Sequence, residues 1–135
     1  LNKWISDRMK YLPADQTEQF LDGIFSERSA IKRMLSAYKD LGLIGLVILD
    51  EGRMIGFTVG EKINANTASV IIEKTDFEVL GCAQYVFREF SKVLFDEYQV
   101  TKINVGDDMG FENLKKVKMS YRPSLMIPKY VIYKR

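Results

Sequence analysis

The sequence predicts the α/β (α+β) class, a mixed sheet flanked by helices, and three observations carry that reading. Three runs rich in β-formers follow one another between residues 43 and 73, separated by the turn signals Asp50-Glu51-Gly52-Arg53 and Asn64-Ala65-Asn66. An amphipathic stretch over 80–97 then leads into a short strand-like run near 101–105, the pattern of a crossover helix feeding a parallel strand. The 135 residues, without an internal repeat or linker, suffice for one domain with a single hydrophobic core.

The elements follow in chain order. Pro13 and Asp15 open a helical segment, with Glu18 spaced to complete an Asp-x-x-Glu capping box. Phe20, Leu21, Ile24 and Phe25, then Ile31, Met34, Leu35 and Tyr38, recur at helical spacing, as two helices or one bent helix ending at Gly42. Residues 43–49 are almost wholly apolar and predict a strand buried on both faces. The hairpin signal returns the chain through 54–60, and 67–73 forms a third antiparallel strand ending at Glu73-Lys74. In the 80–97 helix, Ala83, Val86, Phe87, Phe90 and Leu94 share one face and Gln84, Arg88, Lys92 and Asp96 the other. The strand near 101–105 is expected beside the third and parallel to it. A short helix over 111–119 and two closing strands, 122–127 and 130–133, complete the order.

Composition removes several function classes. Histidine is absent, which excludes every Ser-His or Cys-His nucleophile and the commonest metal ligand, so acid–base chemistry falls to Asp, Glu, Tyr or Lys. The acids lack calcium-loop spacing, and no dedicated metal site is expected. Cys82 is the only cysteine, which fits a reducing compartment, and a cytoplasmic protein is expected. At a helix start it reads as a small buried residue rather than a nucleophile. No apolar run approaches the ~20 residues of a membrane-spanning helix. The net charge of +2 is lopsided: the stretch from Asn113 onward holds seven basic residues and no acid, leaving thirteen basic against eighteen acidic groups before it. Such a basic end suits a phosphate-bearing partner, or else guards edge strands against aggregation.

Three places can carry chemistry. Glu73 follows the apolar run Val70-Ile71-Ile72, where low-dielectric surroundings raise a carboxyl pKa toward that of a general base; the alternative is an ion pair with Lys74 or another cation. Asn104, Asp107 and Asp108 enter a loop at the carboxyl end of the expected central strand, where α/β folds place ligands, although Asp108 also suits a helix cap. Lys118, Tyr121 and Arg122 cluster before the closing strands, Tyr121 as a proton donor and the two cations as grips on phosphate or carboxylate. Glu73, Asn104 and Asp108 are expected to converge on one concavity. Glu73, Asp108 and Tyr121 are then the candidate catalytic residues, with Asn104, Asp107, Lys118 and Arg122 binding substrate.

The runs Ser69-Val70-Ile71-Ile72-Glu73-Lys74, Asn104-Val105-Gly106-Asp107-Asp108-Met109-Gly110 and Leu114 through Lys118-Met119-Ser120-Tyr121-Arg122-Pro123 resemble the phosphatidylglycerol lysyltransferase C-terminal domain family. The resemblance covers residues 29–135. It implies the fold of GNAT-type N-acyltransferases, here as the C-terminal unit of a tandem pair, so that residues 1–135 form one GNAT-like domain of a longer two-unit protein. It implies acyl or aminoacyl transfer, with aminoacyl-tRNA or an anionic lipid headgroup as partner and an N-terminal GNAT-like unit beside it. Two alternatives stand: a non-catalytic half supplying structure and basic surface, and an ordinary CoA-dependent N-acetyltransferase. Ordinary GNAT enzymes hold the CoA pyrophosphate on a glycine-rich loop, whereas here residues 74–83 carry one glycine with Asp76 and Glu78. No cofactor is therefore expected.

Overall fold

The computed structural model describes residues 2–10 and 17–134. Its elements are α1 (Asn2–Met9), α2 (Thr17–Ser36), β1 (Ile44–Asp50), β2 (Arg53–Lys62), β3 (Thr67–Thr75), α3 (Cys82–Tyr98), β4 (Lys102–Asn104) and α4 (Glu112–Ser120). They fall into two compact units, residues 1–104 and 105–135, which are taken in turn.

In the first unit the four strands form one sheet in the order β1-β2-β3-β4. The first three make the expected antiparallel meander, and β4 lies parallel to β3. The β1–β2 hairpin closes through Glu51 and Gly52, both at positive φ (47° and 79°), as a two-residue turn matched to the strand twist demands. α3 packs on one face. Val86, Phe90 and Leu94, at helical spacing, are fully buried there, and Gly56 and Gly60 of β2 make room for them. A Cβ on Gly56 would stand 2.7 Å from Val86 Cγ2, and one on Gly60 would stand 2.4 Å from the Ser69 carbonyl oxygen and 3.1 Å from the Phe90 ring. On the opposite face Ile31 of α2 packs with Leu43, Val59 and Ile72.

Four expectations need correction or completion. One continuous 20-residue helix, α2, forms before β1 rather than two; Asp15, the expected cap, lies outside the described residues. α1 was not anticipated. β1 is an edge strand whose burial alternates, with Val47 and Leu49 exposed, so it is not covered on both faces. Its continuous apolar run conceals the alternation, because the outward positions are also aliphatic.

A β-bulge matters more for the site. Val59 pairs with Ile72 and Gly60 with Val70, which leaves Ile71 of β3 as the extra residue. Val70 packs with Phe90 and Leu94 on the α3 face, whereas Ile72, two residues on, packs with Ile31 on the α2 face. In a regular strand those two side chains would share a face. The bulge therefore reverses the alternation just before Glu73.

In the second unit, α4 runs from Glu112 to Ser120, close to its expected span. The expected strands 122–127 and 130–133 do not form. Residues 123–134 make no backbone hydrogen bond among the described residues, and Leu125, Met126, Ile127, Tyr130, Val131, Ile132 and Tyr133 are exposed. β-propensity without a ladder partner does not make a strand, and Pro123 and Pro128 each remove a donor.

Candidate active site

Glu73 is opposite Thr58 in the β2–β3 ladder, and directly opposed residues point to the same side of the sheet. Phe57 and Val59 pack toward α2, so Thr58 and Glu73 look toward α3, the side of Gly56 and Gly60. Glu73 is half-buried, and its carboxylate makes no hydrogen bond or ion pair among the described residues. Loss of water alone pushes its carboxyl up to about 7 from an ordinary 4.5. The ion pair with Lys74 does not form. Lys74 points to the other face, donates to Glu27 Oε1 at 2.8 Å, and stands 3.7 Å from the centre of the Trp4 ring.

Glu73 also lies where the sheet opens. The β3–β4 ladder spans only Thr67–Lys102, Ala68–Ile103 and Ser69–Asn104, while β3 continues to Thr75. Past Ser69 no strand of the described residues pairs with that edge of β3. Asn104 is opposite Ser69, four residues short of Glu73, or roughly 13 Å along the strand. An open edge offers backbone N–H groups to an extended ligand.

The segment after β3 is a clasp. The Asp76 carboxylate, almost inaccessible to water, accepts from Lys3 Nζ and Arg53 Nη1, each at 3.0 Å, and from the Glu78 backbone N–H at 3.1 Å. These partners, Lys3 foremost, hold its carboxyl below the ordinary carboxylate value. Asp7 shares Lys3 at 2.8 Å. The acidity expected to repel a pyrophosphate is thus largely neutralised from within. Cys82 is buried, donates to the Ile55 carbonyl, and has its thiol pKa raised by burial, as befits a packing residue.

The other candidates belong to the second unit. Lys118 Nζ donates to the carbonyl oxygens of Val105 and Asp107, both at 2.5 Å, and so ties down the loop that precedes α4. Asp107 accepts from the Met109 N–H and pairs with Lys129, which holds its carboxyl below the ordinary value. Asp108 Oδ1 accepts from the Gly110 N–H at 3.0 Å. The expected helix cap is therefore an Asx turn one step earlier, and Phe111 occupies the N-cap position without a side-chain bond. Tyr121 ends α4, and Arg122 follows at φ 52°. Lys118, expected with Arg122 to hold phosphate, thus serves the fold of this unit, as does Lys129 of the basic C-terminal stretch. No group of His, Cys, Asp and Glu able to hold a metal occurs among the described residues.

Sequence reasoning missed Lys3, Trp4 and Arg53. The residues of the clasp are separated by up to 75 positions, and nothing local marks α1 as their partner.

The family described as phosphatidylglycerol lysyltransferase, C-terminal, matches residues 3–133. A conserved protein of unknown function from Bacteroides thetaiotaomicron has a similar structure, with a TM-score of 0.77 and 31% identity over 93% of this chain. An uncharacterized protein of Mycoplasmoides gallisepticum is 30% identical over 92 residues, 68% of this chain. This chain spans only 39% of the first and 28% of the second. An aminoglycoside N-acetyltransferase in complex with CoA shares the fold, with a TM-score of 0.55 and 13% identity over 92% of this chain and 95% of its own. The fold is thus that of the GNAT-like acetyltransferases.

Proposed function

The chain belongs to the phosphatidylglycerol lysyltransferase C-terminal family, and from that premise we propose that it carries out acyl-type transfer with Glu73 as general base. One observation carries the reading: a half-buried carboxyl poised at about 7, without an ion-pair partner among the described residues, on the stretch of β3 with which none of their strands pairs. An acceptor hydroxyl or amine attacks the carbonyl carbon of an ester laid along that edge, and its proton passes to Glu73. A β3 backbone N–H steadies the tetrahedral oxyanion. As the ester C–O bond breaks, the proton returns from Glu73 to the leaving oxygen.

Aminoacyl-tRNA is the donor this reading favours, with a lipid headgroup as acceptor, in line with the family's name. Exposed Lys115, Lys116 and Arg122 supply cations for a polyanion, whereas Lys118 and Lys129 are already engaged. The test is transfer by the full-length protein from a panel of charged tRNAs and acyl-CoAs, with Glu73→Gln alongside. Wild-type kcat is expected to fall as pH drops below about 7, and the variant to lose about 100-fold or more. A variant as active as wild type removes Glu73 from the mechanism. Transfer from acyl-CoA alone, with acetyl-CoA bound tighter than about 10 μM, restores the CoA-dependent reading.

A second reading rests on length. Because the chain spans 28–39% of its relatives, the domain can serve as a non-catalytic half that packs against another unit. In that case activity of the longer protein would survive Glu73→Gln yet be lost when residues 1–135 are removed.

A further inference from the structure

Thr58 occupies a place that a valine would fill without cost. It lies on β2 midway between Gly56 and Gly60, the two positions that admit α3, and with Phe90, Leu94 and Val86 it is among the largest side chains wholly removed from water. Valine has nearly the same shape, whereas a hydroxyl in such a place costs free energy until it finds a partner. Thr58 Oγ1 finds one by donating to the Ile72 carbonyl oxygen at 3.0 Å. A carbonyl has two lone pairs, so this bond adds to whatever the ladder supplies.

The position of that carbonyl gives the bond its consequence. It belongs to the peptide that joins Ile72 to Glu73, and Glu73 is the residue directly opposite Thr58. It also follows at once on the extra residue Ile71, where a bulge interrupts the regular pairing that elsewhere fixes how a strand residue points. The Glu73 carboxylate has no hydrogen bond or ion pair of its own among the described residues, so backbone orientation and packing set its aim.

We propose that Thr58 is a positioning residue for Glu73: its hydroxyl pins the Ile72–Glu73 peptide beside the bulge and so fixes the aim of the carboxyl on the α3 side. The proposal rests on the general-base reading of Glu73 and extends it to a wholly buried residue that acts through the backbone. The charged groups of the packed elements are engaged elsewhere: Lys74 by Glu27 on the α2 side, Glu89 of α3 by Arg88 and Lys92, and Asp76 by Lys3 and Arg53. Cys82 is the titratable residue that senses Glu73, its thiol raised by burial first and then by the charges of Asp76 and Glu73. None of these partners changes with residue 58.

Thr58→Val keeps the shape and removes the donor. With the Ile72 carbonyl released, the Glu73 side chain is free to reach water. Its carboxyl midpoint, followed by side-chain carbon NMR, should fall by about one pH unit toward the ordinary 4.5. In the full-length protein kcat should drop about 10-fold or more at unchanged KM, as a displaced base demands. Thr58→Ser retains the hydroxyl and should restore both. Thr58→Cys, a weak donor of similar size, should fall between them, and it gives the answer if the valine variant does not fold. A Glu73 midpoint that stays put in the valine or cysteine variant overturns the proposal and leaves Thr58 as a satisfied core hydroxyl. Serine as impaired as valine also overturns it and points to packing. A midpoint that moves while Glu73→Gln remains fully active keeps the positioning and removes the base, so the two readings fail separately.

Discussion

Replacing Glu73 with glutamine should stabilise the protein above neutrality and leave its stability in acid unchanged. The carboxyl stands at about 7 in the folded chain against an ordinary 4.5. Its neutral form is favoured by folding, so the associated stability is fully present below 4.5 and is lost as pH rises through about 7. Unscreened, a difference of that size is worth ~3 kcal/mol. Glu73 keeps partial contact with water, and halving the figure for screening leaves about 1–2 kcal/mol. Glutamine has the same shape without the charge, so the variant should gain that amount at pH 8, or roughly 4–8 °C in Tm. The assay is urea unfolding of both proteins across pH, read as the difference between them, which cancels the acid limb of other carboxylates. Curves that stay parallel from acid to pH 8, or a side-chain carbon titration centred near 4.5, would refute the argument.

Three further outcomes follow from the geometry. Gly60→Ala should cost about 1–3 kcal/mol in denaturant unfolding, because its Cβ would meet the Ser69 carbonyl and the Phe90 ring and no flexible side-chain end can yield. Asp76→Asn should flatten the acid limb of the stability curve: the contribution of this lowered-pKa carboxyl is complete above 3.8 and fades as pH falls through its folded value. An unaltered acid midpoint would detach Asp76 from the clasp. Lys118→Met should speed amide hydrogen exchange across 105–110 without lowering the protection of α3, since Lys118 holds two carbonyls of that loop.

What the sequence made legible was whatever depends on local geometry. Glu51-Gly52 announced the hairpin because both positions need positive φ, and only a short list of residues adopts it readily. The α3 face was readable because Val86, Phe90 and Leu94 repeat every four residues between exposed Arg88, Lys92 and Asp96. The parallel β4 followed from the length of that crossover. Hidden features were those decided at long range. The bulge at Ile71 leaves no trace in Val70-Ile71-Ile72, because any of the three suits a buried or half-buried place. Lys3 finds Asp76 across 73 residues, and Lys118 was read as a free cation although two backbone carbonyls claim it. The segment 125–133 shows the opposite error, in which strong β-formers predicted strands that no neighbouring edge supports.

The reactivity assigned to Glu73 rests on two alternations acting together. The extra residue at Ile71 sets Ile72 toward α2 and hence Glu73 toward α3, where burial removes water and no cation of the described residues pairs with it. The next residue must point the other way, and that residue is Lys74, the cation nearest in sequence. It is removed to the α2 face, and Glu27 and Trp4 hold it there. Had the strand run without a bulge past Val70, the faces of Glu73 and Lys74 would be exchanged. The carboxylate would then look toward α2 and Trp4, and the ammonium would stand on the α3 side. A buried carboxyl stays near neutrality only while no cation reaches it, since an opposite charge within about 4–6 Å lowers a carboxyl pKa by 1–3 units. The bulge thus sets which face the acid takes, while the ordinary alternation of the strand keeps the adjacent Lys74 on the other face. Together they leave the acid able to accept a proton near pH 7.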